Sequence, residues 1–405
     1  MKILYVCHRI PYPPNKGDKI RSFNEIKYLS KNHDLYLAFL VDDPADVKHV
    51  DALRDYCVEL AWEQFSPRQN KIKAAPHMFI GRPLSLPYFY SPQIQHAIDA
   101  WATRHSFDAV ICFSGPMAEY VFKCKALKGR SAASPMKRIM DFCDVDSDKW
   151  GQYAGEAKFP MNLVYGLEQK RLLAYEARVN RAFDHSVFVT ENEAQLFRDL
   201  VPAARNLEVV GNGVDFDYFS PLHKGAACCA PTMENTDLVF TGAMDYHANV
   251  DAVMWFCREI LPVIREAGIG ADFCIVGGKP TAEVQALARI PGVQVTGFVE
   301  DIRPWYMRAA VSVIPLRLAR GVQNKVLEAM AMGCPVVTTR KAAEGVGAKN
   351  GEHLLVADDP GAFAAAAIDL YRDPAARRQL GETGRAFVRE HFDWRRNMEK
   401  LEQLL

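Results

Sequence analysis

Leu318-Ala-Arg-Gly-Val-Gln-Asn-Lys-Val-Leu-Glu-Ala-Met-Ala-Met-Gly-Cys-Pro-Val-Val337 is the most informative stretch of this chain. A polar loop containing Gly321 runs into a short helical segment that carries Lys325 and Glu328. Gly333 stops that helix, Pro335 forbids its continuation, and Pro335–Thr339 reads as a buried strand. Lys325 and Glu328 are three residues apart and share one helix face. Both are expected in the first turn, where unpaired backbone N–H groups and the helix dipole favour an anion. A cation there suits a phosphate, and a carboxylate deeper in the helix suits a pair of hydroxyls. Together they describe a sugar-nucleotide site. Taken without their neighbours, the same two residues are an ordinary i,i+3 pair worth only about 0.2–0.5 kcal/mol.

Working outward, short apolar runs alternate with amphipathic segments through both halves. The strands expected in the first half are Lys2–Cys7, Leu35–Val41, Ala109–Phe113, Arg138–Phe142 and His185–Thr190. Those of the second half are Leu238–Thr241, Asp272–Val276, Val293–Phe298, Val311–Leu316, Val336–Thr339 and His353–Val356. Between them lie helical patterns such as Ile20–Ser30, Leu167–Arg181, Val250–Ile264 and Gly361–Tyr371. An α/β class follows, with two doubly wound parallel sheets and ligands at the carboxyl ends of strands. Asn-Gly at 212–213 marks a turn, and the aperiodic stretch 223–237 reads as a linker, which puts the boundary near Gly211.

Composition sets the limits. The 405 residues are more than one comfortable core holds, and 49% apolar with 24% charged content describes an ordinary globular protein. Zero formal net charge gives no footprint for nucleic acid. No apolar run approaches a membrane span and a strand begins at Lys2, so the reading expects no signal peptide and a cytoplasmic location. The ten cysteines form no C-x-x-C pair and sit mostly in apolar runs, which predicts buried free thiols rather than disulfides or metal.

The Lys325–Val337 segment resembles the donor-site motif of retaining GT-B glycosyltransferases of family 4. In that family a Lys contacts the donor diphosphate and a Glu holds the ribose, just before Ala-Met-Ala and Gly-x-Pro-Val-Val. Asn212–Asp215 with Phe219 and Pro221 resembles the family's domain-junction motif, and Gly384–Trp394 with the charged helix after it resembles its tail. The resemblance implies two Rossmann-like domains facing each other across a cleft, with the last helix crossing back to the first. It implies an acceptor-side domain over 1–210 completed by 388–405, and a nucleotide-sugar domain over 211–387. The Pro11–Asp18 loop, the acidic Asp141–Asp148 cluster and Gly242–Tyr246 together resemble the exopolysaccharide sugar transferases associated with PEP-CTERM/exosortase systems.

By the same resemblance, Gly17 and Asp18 stand in the loop that closes over donor phosphates, and Arg21, one turn into the next helix, reaches phosphate or is a plain surface Arg. Gly242, Gly278, Phe298 and Val299 lie where relatives contact nucleotide. Asp144 takes the place of a His that relatives direct at the transferring sugar, or its loop merely caps the next helix through Asp146 or Ser147. The chain departs from the family pattern at Ala243 and Asn249, where two phosphate-binding cations are common, and at Arg320, where the first of two acids is usual. Arg320 could restore part of that missing charge, with Arg317 a weaker second.

The reaction implied moves a sugar from a nucleoside diphosphate to an acceptor hydroxyl with retention. Lys325, Arg320 and helix N-termini would stabilise the leaving diphosphate, with no metal and no further cofactor. The acceptor that the resemblance implies is a glycan or lipid-linked glycan of the cell surface. A noncatalytic nucleotide-sugar-binding subunit and a GT-B epimerase or phosphorylase stand as alternatives. The basic and aromatic stretch Asn70–Gln95 is either packed loop aromatics or a weak peripheral contact with the inner face of the plasma membrane.

Overall fold

The computed structural model describes residues 1–128, 136–221, 237–319 and 321–405. The chain divides into two compact units, Met1–Gly211 with Arg395–Leu405, and Asn212–Trp394. Among the described residues no helix is long and apolar enough to cross a membrane.

The first unit is built on seven parallel strands: β1 (Lys2–Cys7), β2 (Asp34–Val41), β3 (Glu59–Gln64), β4 (Ala109–Phe113), β5 (Lys137–Cys143), β6 (His185–Phe188) and β7 (Leu207–Val209). Their spatial order is β3-β2-β1-β4-β5-β6-β7. Ile3 pairs with both Leu35 and Ala109, so β1 lies between β2 and β4 and the winding reverses beside it. β1 and β4 are apolar almost throughout because helices cover both faces of the sheet centre.

The second unit repeats the plan with β8 (Asp237–Thr241), β9 (Phe273–Val276), β10 (Val293–Gly297), β11 (Ala309–Ile314), β12 (Val336–Thr338) and β13 (Leu355–Val356). The order is β10-β9-β8-β11-β12-β13, again parallel, with the reversal between β8 and β11. The helix Asn324–Ala331 joins β11 to β12, so its N-terminus lies after the carboxyl end of β11. That is where a doubly wound sheet offers a ligand site. The expected α/β class with two doubly wound sheets is the observed one.

Two strands escaped the sequence reading, β3 and β7. Both are sheet edges, where burial on one side only leaves no continuous apolar run: Glu59-Leu-Ala-Trp-Glu-Gln64 interleaves charges, and Leu207-Glu-Val209 is too short to register. The domain reading also needs adjustment at the tail. The helix Pro374–His391 belongs to the second unit, and the chain returns to the first at Arg395 rather than at 388. The reason is packing. A Cβ on Gly381 would lie 2.1 Å from the Gly333 carbonyl oxygen, and Val388 is fully buried in the second core. Within the first unit, Glu402 then accepts hydrogen bonds from Tyr28 at 2.8 Å and His33 at 3.0 Å. The eight described cysteines are free thiols, six buried and two, Cys57 and Cys143, partly exposed. Cys228 and Cys229 lie outside the described residues.

Candidate donor site

In the second unit the adjacent strands β8 and β9 both end in glycines that nearly touch. Gly242 and Gly277 each have φ +153°, and a Cβ on Gly277 would fall 1.7 Å from the Gly242 carbonyl oxygen. Only glycine allows that approach. The Gly242 N–H donates to Val276 and the Met244 N–H to Gly278, so the chain after β8 is fixed against the end of β9.

Lys325 reaches this pinched corner from the Asn324–Ala331 helix. Its Nζ donates to Asn249 Oδ1 at 2.5 Å, lies 4.3 Å from the centre of the Phe240 ring, and would be 3.1 Å from a Cβ on Gly242. Asn249 in turn donates through Nδ2 to the Ala243 carbonyl at 2.8 Å. The residue that departs from the family cation is therefore the clamp that sets the Lys325 ammonium over the Gly242–Ala243 turn.

Glu328 is the fifth residue of the helix, beyond its first turn, where the sequence reading had placed it beside Lys325. Tyr306, buried, donates toward Glu328 Oε2 at 3.3 Å and shares a 2.7 Å hydrogen bond with Thr241 Oγ1. Burial of the head group pulls the Lys325 pKa down to about 7, against the upward pull of Glu328. Burial pushes Glu328 up to about 7, opposed by Tyr306 and Lys325. Both residues keep some exposed surface, so the site is open to a ligand yet poor in water. An ammonium held there has unmet demand for an anion, and a carboxylate held there has unmet demand for donors.

Gly278 and Phe298 lie side by side: a Cβ on Gly278 would be 3.7 Å from the Phe298 Cβ. Phe298, just past β10, is 75% exposed, whereas Val299 packs against the core. A bare aromatic face beside a glycine is a stacking surface for a planar ring. Arg317 is tied to Asp251 and its guanidinium lies 5.3 Å from the centre of the Trp255 ring. Arg320 lies outside the described residues.

The remaining expected residues are in the first unit. Gly17 opens the helix Gly17–Leu29 and is exposed, while Asp18 is held by Arg9 at 2.9 Å and His8 at 3.4 Å. Those partners, His8 first, overcome burial and drive the Asp18 pKa far below the carboxylate range. Arg21 corrects the sequence reading, in both its phosphate-binding and its surface forms. It is 1% exposed, with its guanidinium bound to Asp141 at 2.7 Å, Glu25 at 3.0 Å and the Val210 carbonyl at 2.6 Å. A phosphate would have to displace two carboxylates from a closed core. Arg21 instead ties the helix after β1 to the end of β5.

Asp144 sits in the loop after β5, next to Cys143, whose φ of +61° is unusual for a residue with a side chain. The local capping expected of Asp146 or Ser147 is absent. The helix Asp146–Glu156 is capped from outside by Glu176, which accepts from the Ser147 N–H at 3.1 Å and from its hydroxyl at 2.5 Å. Glu193 takes the Val145 N–H at 2.8 Å. Burial raises Glu176 to about 8 and Glu193 to about 7. Among the described residues no group of three or more His, Cys, Asp or Glu is placed to hold a metal, and Asp141 is committed to Arg21.

Sequence reasoning missed Asn249 as a clamp, and Tyr306, Thr241 and Phe240 altogether. Asn249 carried a signal, its position six residues after Ala243. Tyr306 is one aromatic in Arg303–Arg308 with no spacing to distinguish it.

Residues 235–373 match the family model described as Glycosyl transferases group 1. The chain is 24% identical over 387 residues to the GDP-mannose-dependent alpha-(1-6)-phosphatidylinositol monomannoside mannosyltransferase of Mycolicibacterium smegmatis, covering 85% of this chain and 97% of that one. Its fold is similar to sucrose-phosphate synthase from Thermosynechococcus elongatus, with a TM-score of 0.72 at 17% identity over 100% of this chain and 98% of that one. It is also similar to Anabaena HepE in complex with UDP-glucose, with a TM-score of 0.66 at 13% identity over 100% and 98%. The segment holding Lys325 and Glu328 thus matches the group 1 glycosyltransferase model, and the chain has the GT-B fold.

Proposed function

We propose that this chain transfers a sugar, with retention, from a nucleoside-diphosphate sugar to a hydroxyl of a glycan or lipid-linked glycan in cell-surface polysaccharide synthesis. The observation that carries the reading is the clamped Lys325 ammonium over the Gly242–Ala243 turn, within the segment that matches the group 1 model. The diphosphate would replace Asn249 as the partner of Lys325, and developing charge on the leaving group would be met by an ammonium already in place. Glu328, steadied by Tyr306, would accept the two ribose hydroxyls. Phe298 would face the base. No side chain is assigned as a general base, because the leaving phosphate can take the acceptor proton, and no metal is assigned, because Lys325 would supply the positive charge that the leaving diphosphate needs.

The mannosyltransferase relative is named for GDP-mannose, whereas HepE is described with UDP-glucose, which makes these the first two donors to test. Thermal-shift screening of nucleotide sugars identifies the donor, since a ligand that binds only the native state raises its apparent stability. Lys325→Ala should then lose turnover by about 2–4 kcal/mol of transition-state stabilisation while keeping its melting temperature within a few degrees. Wild-type turnover in that variant would refute the assignment. Glycoside product formed with retained configuration separates a transferase from a binding subunit or an epimerase.

A further inference from the structure

From Gln64 to Ile98 the chain has no Asp or Glu, although acids and bases are balanced at 49 each over the whole sequence. Four cations, Arg68, Lys71, Lys73 and Arg82, stand in that segment, and all four are exposed. Beside them Ile72, Phe79 and Ile80 are 74%, 82% and 63% exposed.

The segment is held in this presentation. Asn70 Nδ2 donates to the Tyr88 carbonyl at 2.7 Å, and Arg171 Nη1 donates to the Met78 carbonyl at 2.9 Å. Glu168 accepts from the Leu84 N–H at 2.6 Å and from both the N–H and hydroxyl of Ser85. The pins fix the backbone on either side of Phe79-Ile80, so these side chains project outward by construction. Leu163 and Leu167 are also exposed on the helix Met161–Ala182, and both share the face of Arg171 at i,i+4 spacing. They continue the apolar surface from the point where Arg171 meets Met78.

We infer that this face of the first unit docks on an anionic lipid bilayer, with Phe79 and Ile80 inserted at the headgroup boundary and the lysines against lipid phosphates. The charge pattern commits the occupant. Apolar tips ringed by cations, with no carboxylate in the segment, match a surface that is negative outside and apolar beneath. The inference goes beyond the donor site and would place the unit beside a lipid-linked acceptor.

Flotation of the full chain with vesicles tests it, using phosphatidylcholine alone and phosphatidylcholine mixed with phosphatidylglycerol. The wild type should float with the mixed vesicles only. Lys71→Gln/Lys73→Gln should weaken partitioning about fivefold for each lysine removed, and added salt should mimic that loss. Phe79→Ser/Ile80→Ser should abolish flotation at an unchanged melting temperature, since neither side chain is packed. The inference is overturned if the wild type stays in solution with mixed vesicles or floats equally with neutral ones. It is also overturned if the serine pair floats like the wild type, or if the patch proves to mediate self-association without vesicle binding. Donor binding measured in solution is unaffected by any of these outcomes, so the two readings fail separately.

Discussion

Lys325 and Glu328 make a prediction about protons in which burial outweighs their mutual attraction. In the free protein both titrate near 7, Lys325 down from 10.5 and Glu328 up from 4.5. A donor diphosphate would restore Lys325 to its ammonium form, and ribose hydroxyls would demand Glu328 as carboxylate. At pH 8 about nine-tenths of Lys325 is neutral beforehand and takes up a proton on binding, while Glu328 is already ionised. At pH 6 the situation reverses, and about nine-tenths of Glu328 must lose a proton. Binding should therefore release a little under one proton at pH 6, exchange almost none at pH 7, and absorb a little under one at pH 8. The diphosphate of a nucleotide sugar is esterified at both ends and adds no titration of its own. Calorimetry of UDP-glucose or GDP-mannose, whichever shifts the melting temperature more, in buffers of different ionisation enthalpy reads the proton count directly. Glu328→Gln should leave only the Lys325 uptake, with affinity falling about tenfold, or 1.4 kcal/mol, per pH unit above 7. Lys325→Met should leave only the release. A proton count that keeps one sign from pH 6 to 8, or a Glu328→Gln variant without uptake at pH 8, would refute this account of the site.

Other outcomes follow from the packing. Glu176 binds its proton more tightly folded than unfolded, about 8 against 4.5, so stability should be full below pH 4.5 and fall as pH rises to 8. Glu176→Gln should remove most of that slope, worth several kcal/mol, in melting curves taken from pH 5 to 9. Gly277→Ala should destabilise by at least about 2–4 kcal/mol in chemical denaturation, because its Cβ would overlap the Gly242 carbonyl; a fold of wild-type stability would contradict the described approach of β8 and β9. Tyr306→Phe should weaken donor binding about fivefold through a loosened Glu328, a loss of roughly 1 kcal/mol, with Lys325 uptake unchanged. Turnover should survive EDTA; loss with chelator and recovery with magnesium would reinstate a metal at the Asp141–Asp148 loop.

The sheet centres were legible because strands buried on both faces write themselves as apolar runs: Lys2–Cys7 and Ala109–Phe113 were located to the residue. The edges were not, since β3 and β7 are buried on one side and share their composition with loops. Within the site, Lys325 and Glu328 stood out through their spacing and the Gly-Cys-Pro stop after them. Their chemistry did not. What tunes them is Asn249, 76 residues upstream of Lys325, and Tyr306, whose hydroxyl meets Glu328 and Thr241 only after the end of β8 comes to lie against the helices before and after β11. Arg21 shows the opposite error. An arginine one turn into a helix after a loop suggests phosphate, but the residues that claim it, Asp141 in β5 and Val210 just past β7, lie far along the chain.

The return of Arg395–Leu405 to the first unit makes the second an insertion within it. The two crossings are adjacent: the Val214 N–H donates to the Phe392 carbonyl at 2.9 Å, and Gly213 is pressed against Trp394. On the ribosome the order of events is therefore fixed. Met1–Gly211 emerges first but lacks the helix whose Glu402 binds Tyr28 and His33, and that helix exists only after all of Asn212–Trp394 has been synthesised. The inserted unit can close on itself while the enclosing one waits. A nascent chain stalled before residue 395 would present a finished second unit and an unfinished first one, and Arg395–Leu405 would act as the latch that closes the first.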